Sequence, residues 1–152
     1  MADFKSALKD GFAAAEKADH ARREIVQVLT QLMNDVLESS EGKILIELAR
    51  LRRPPPAEEY SMSGITSVTV AAMFRPRPMY TALVAKNPIA NSEAKKLAEW
   101  SQSRNGYPVA LTWNSQERQC EDRVALESCL ADLLKDPVVG ETLFSLTQLK
   151  AE

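Results

Sequence analysis

The sequence predicts an α+β domain in which a long amphipathic N-terminal helix and further helices pack on a small three-stranded sheet, in the order α-α-β-β-α-β-α-α. Three observations carry that expectation. Apolar residues recur at helical spacing through roughly the first forty positions. Residues 107–113 alternate cleanly, as a half-buried strand does. Asp136-Pro137 combines a capping acid with a proline suited to the first helical position.

The first helix is expected over residues 3–38. Phe4, Leu8, Phe12, Ala15 and Ala18 start its apolar stripe, and Ile25, Leu29, Leu32 and Val36 continue it in steps of four, three and four. Those last steps have the rhythm of a heptad seam, so Ile25, Leu29, Leu32 and Val36 are assigned as oligomerisation residues, with a dimer favoured. No proline precedes Pro54, so nothing obliges the helix to stop short of about 50 Å at 1.5 Å per residue. Val28 and Met33 widen the stripe and Arg22 interrupts it, which suits a helical hairpin or bundle as well as a coiled coil. The plainer alternative is that the stripe docks on the chain's own domain.

A second helix is expected over residues 43–53, where Ile44, Leu45, Leu48 and Leu51 recur at three- and four-residue intervals. Pro54, Pro55 and Pro56 end it by removing three backbone donors. Residues 1–53 therefore read as a helical oligomerisation module, 54–63 as a proline-rich linker and 64–152 as the α+β domain. Strands are expected over 65–74, rich in Thr, Val and Ile, and over 79–85, joined by the doubly cationic tip Arg75-Pro76-Arg77-Pro78. Asn91 or Ser92 caps a helix reaching Arg104, with Asn105-Gly106 as its left-handed stop. After the strand at 107–113, Asn114 and Glu117 open a helix over 115–135, and Asp136 caps a last one to about residue 149.

Charge is uneven along the chain. Residues 1–42 carry a net −3, residues 43–104 a net +5 and residues 105–152 a net −4, within a total of −2. Arg50, Arg52, Arg53, Arg75, Arg77, Lys95 and Lys96 lie in the basic middle and form a possible anion-binding set, because Arg and Lys together suit phosphate. The structural alternative has three parts: cations favour a helix C-terminus, which accounts for Arg50–Arg53; charge and proline beside an exposed strand deter edge pairing, which accounts for Arg75–Pro78; and the acidic C-terminal helices can pair with the basic middle within the chain.

Catalytic material is sparse. With one His and two Cys, the Cys/His zinc patterns are unavailable, and no metal or other cofactor is expected. His20 sits among Asp19, Arg22 and Arg23 on a charged helix face, without the pocket a general base needs. Cys120 and Cys129, nine residues apart on one expected helix, point to roughly opposite sides and cannot bond there. Glu58-Glu59 and Glu121-Asp122 are adjacent in sequence rather than spaced to share a helix face. No motif is specific enough to carry a family name.

The absence of a long apolar run argues against a membrane span, and no secretory signal pattern opens the chain, so a cytoplasmic location is expected. The sequence is read as a non-enzymatic oligomeric interaction protein, a regulator, inhibitor or adaptor with a protein partner. Nucleic-acid binding through the basic middle is the alternative, and an enzyme whose site is assembled at a subunit interface is the second.

Overall fold

The computed structural model describes residues 1–53 and 78–150. The expected linker, the strand at 65–74, and Arg75 and Arg77 lie outside the described residues. Along the chain come α1 (Phe4–Ser39), β1 (Leu45–Arg52), β2 (Met79–Lys86), β3 (Lys95–Ser103), β4 (Gly106–Trp113), β5 (Gln116–Cys120), α2 (Arg123–Lys135) and α3 (Pro137–Thr147). The class is α+β, as expected, but the three-stranded sheet is not found. Five antiparallel strands form one sheet in chain order, β1-β2-β3-β4-β5.

Three expected helical stretches account for the difference. The helix expected over 43–53 is replaced by strand β1, Leu45–Arg52, paired along its whole length with β2 from Leu45↔Lys86 to Arg52↔Met79. Residues 91–104, expected as a helix, supply β3, which buries Leu97, Ala98 and Trp100. The first part of the helix expected over 115–135 is β5, paired with β4 from Val109↔Cys120 to Trp113↔Gln116. In each stretch Leu, Ala, Glu, Gln, Lys or Arg supply helix propensity, which cross-strand pairing overrides.

The turns explain the correct topology. Arg104 and Asn105 form the β3–β4 turn, and Gly106 follows at φ +100; Asn105-Gly106 therefore closes a hairpin instead of ending a helix. Asn114 and Ser115 have φ of 51 and 60, the left-handed pair that a two-residue hairpin turn between Trp113 and Gln116 requires.

Gly106 also sets how closely α1 approaches. A Cβ built there falls 2.7 Å from the Ala21 Cβ, so the hairpin touches the helix because this residue has no side chain. From that point α1 crosses toward β1. Ala18, Ile25 and Val28 are buried, and Leu29, Leu32 and Val36 pack half-buried against the same core. One apolar cluster joins Ile25 and Val28 to Ile46, Leu83, Trp100, Val109 and Leu111, and continues through Leu126, Leu130 and Leu133 of α2 to Val139 and Leu146 of α3. Residues on both sides of the expected 54–63 linker thus share one sheet and one core.

Capping fixes the helix starts. Asp3 accepts from the Ser6 amide, Asp122 from Ala125, and Asp136 from Val138 and Val139 with Pro137 at the first position. Asn87, 1% exposed, ties the β2–β3 loop down. Its Oδ1 accepts from the Ile89 and Ala90 amides at 3.0 Å each, and its Nδ2 donates to the Leu146 carbonyl at 2.8 Å.

Candidate interaction surface

Helix α1 is 36 residues long, about 54 Å at 1.5 Å per residue, and the domain supports only part of it. Residues 1–17 are all exposed, whereas burial begins at Ala18. On the unsupported part Phe4 is 80%, Leu8 58% and Phe12 63% exposed. Steps of four residues place these three side chains on one side of the helix, so they form a continuous apolar edge. Val26, at 61%, extends exposure onto the supported part.

Where α1 leaves the sheet, three contacts mark the junction. Arg22 Nη1 donates to the Arg104 carbonyl at 2.8 Å, Tyr107 donates its phenolic proton to Glu24 Oε1 at 2.8 Å, and Ala21 meets Gly106. Burial, and then the Glu24 carboxylate that accepts its proton, push the Tyr107 phenol well above its ordinary value. Further along, α1 and β1 enclose an apolar groove of about 220 Å³, lined by Val26, Leu29, Met33, Ile46 and Leu48 among others.

The four expected oligomerisation residues are divided by the structure. Ile25 lies in the chain's own core at 1% exposure, while Leu29, Leu32 and Val36 are half-buried beside it. Sequence reasoning took Phe4, Leu8 and Phe12 as the start of the same stripe. The signal that separates them is angular: at about 100° per residue, steps of four drift around the helix, away from the edge that Ile25 and Val28 bury.

Of the basic residues, Arg53 and Lys96 converge, and they do so on an acid. Arg53 Nη1 and Lys96 Nζ lie 3.1 and 3.3 Å from Glu99 Oε1, and both cations lie over the Tyr80 ring at 4.6 and 5.0 Å. Burial pushes the Glu99 carboxyl up, but hydrogen bonds and attraction from the two cations outweigh it and hold the group below its ordinary value. Arg50 and Arg52 are exposed near the end of β1, and Lys95 opens β3 opposite Ala85.

The groups with chemical potential are otherwise quiet. His20 is exposed, 3.4 Å from Glu24. Cys120 and Cys129 do not share a helix, contrary to expectation: one ends β5, the other lies on α2, and both are buried free thiols. Burial raises both, Cys120 to about 12, so neither is a thiolate near neutral pH. Among the described residues no group of three or more His, Cys, Asp or Glu is placed to hold a metal ion, and no helix is long and apolar enough to cross a membrane. No protein-family model, curated protein or solved structure matches the chain.

Proposed function

We propose that this protein is a non-enzymatic interaction protein that self-associates through α1. The observation that carries the reading is the apolar edge of Phe4, Leu8 and Phe12 on a stretch of helix the domain leaves wholly exposed. Monomeric proteins rarely keep contiguous apolar surface without a use for it, and a helix edge of this kind is covered by another helix or a groove. The quiet state of the thiols and of His20 supports a binding role over a catalytic one. Nucleic-acid binding has less support, because Arg53 and Lys96 already share Glu99.

Size-exclusion chromatography with light scattering tests the reading. The full chain is expected to elute as a dimer in the micromolar range, and replacing both Phe4 and Phe12 by Ser is expected to make it monomeric. A parent chain that remains monomeric at high micromolar concentration defeats the proposal.

A further inference from the structure

At about 100° per residue, the edge of α1 that is exposed at Leu8, Phe12 and Ala15 continues along the supported part through exposed Val26 and half-buried Leu29 and Met33. Its centre lies about a third of a turn from the edge that Ile25 and Val28 bury on the sheet, so docking on the chain's own domain leaves Val26 exposed and covers Leu29 and Met33 only in part. Between the two apolar triplets stand Asp19 and Arg22. Counting them, every step from Leu8 to Met33 is a four or a three in strict alternation, the repeat that keeps two helices in contact along one seam.

A charged pair inside such a seam selects the direction of the partner. In a parallel pair each residue meets its own copy, so Asp19 faces Asp19 and Arg22 faces Arg22, and like charges repel. In an antiparallel pair about a two-fold axis between residues 20 and 21, Asp19 meets Arg22 of the second copy, and the contact occurs twice. The same register sets Ala15 against Val26, Phe12 against Leu29 and Leu8 against Met33. Beside the seam, Glu16 falls near the second copy's Arg23, again as opposite charges. The groove between α1 and β1 opens alongside Val26, Leu29 and Met33, with Ile46 and Leu48 in its wall, where Leu8 and Phe12 of the second copy arrive.

Resting on the self-association reading above, we infer that the exposed edge of α1 is covered by the same edge of a second copy, antiparallel, with Asp19 and Arg22 paired across the axis. Within one copy Asp19 holds Arg23 at 2.7 Å and Arg22 donates to the Arg104 carbonyl. A carboxylate accepts more than one donor and a guanidinium has five N–H groups, so both keep capacity for the second copy.

Sedimentation equilibrium on the full chain tests this with Asp19→Arg, Arg22→Asp and the double exchange, each checked for parental folding by circular dichroism. Each single exchange places like charges across the axis and is expected to weaken dimerisation about tenfold or more. The double exchange restores opposite charges only in the antiparallel register, and is expected to recover the dimer to within about threefold. A parental dimer that neither single exchange weakens, or that the double exchange does not recover, overturns the antiparallel pairing while leaving self-association in place. A monomeric parent removes self-association itself.

Discussion

The two parts of α1 share one backbone and one helical geometry, yet they answer to different surroundings. From Ala18 onward the helix is held by the sheet, with Ile25 and Val28 in the core; before Ala18 every residue is exposed, the phenylalanines included. Apolar content alone therefore says little about what a helix contributes to folding. Position relative to the β3–β4 hairpin decides it, because Gly106, Arg104 and Tyr107 are where the domain takes hold.

The contrast is sharpest for truncations to alanine, compared at concentrations where the chain is monomeric. Ile25→Ala empties a fully buried site and is expected to cost about 3 kcal/mol in urea denaturation. Phe12→Ala is expected to stay within about 0.5 kcal/mol of the parent, since it removes no contact within the domain. Equal losses at both positions would abolish the distinction between the two parts.

A second test moves the junction itself. Gly106→Ala forces a Cβ against Ala21 and strains a residue at φ +100, for an expected cost of about 2 kcal/mol by thermal or chemical denaturation. A neutral result would mean that the hairpin does not set the approach of the helix.

A smaller loss than at Ile25 or Gly106 is expected from Tyr107→Phe, about 1 kcal/mol for the bond to Glu24. Its pH dependence has a definite sign. The folded-state pKa of Tyr107 lies above the ordinary value of 10.0, so the contribution is whole below about pH 10 and is lost as the pH rises through the folded-state value. The stability difference between parent and variant is therefore expected to be constant from neutral pH to about 10 and to shrink above it; growth with rising pH would contradict the assigned bond.

The elements whose local chemistry and final environment agree were legible in the sequence. Apolar periodicity marked α1 despite its interruption at Arg22, alternation marked β4, and Asp136-Pro137 marked the start of α3. The strands β1, β3 and β5 were not legible as strands. In β1, Ile44, Leu45, Leu48 and Leu51 happen to fall at helical intervals, and its neighbours Glu47, Ala49 and Arg50 are good helix formers. Among the described residues β1 and β5 are the edges of the sheet. Edge strands carry charge where a central strand carries apolar residues, which removes the pattern that identifies a strand. The turns held the missing information: Asn105-Gly106 and Asn114-Ser115, on either side of the alternating strand, enclose β4 within two hairpins.

The apolar edge of α1 was visible as composition but not as geometry. Ile25, Leu29, Leu32 and Val36 drew attention as regular aliphatics, although Ile25 serves the core. Asp19 and Arg22 obscured the other edge, because read along one chain they look like interruptions.

Support that ends at Ala18 gives the molecule a mechanical property. About 21 Å of stiff helix, residues 4–17 at 1.5 Å each, extends past a fulcrum at Gly106 and works as a lever arm. Sideways force applied near Phe4 is delivered, multiplied, to the β3–β4 hairpin and the Tyr107–Glu24 bond, well before it reaches Leu126 or Leu133 at the centre of the fold.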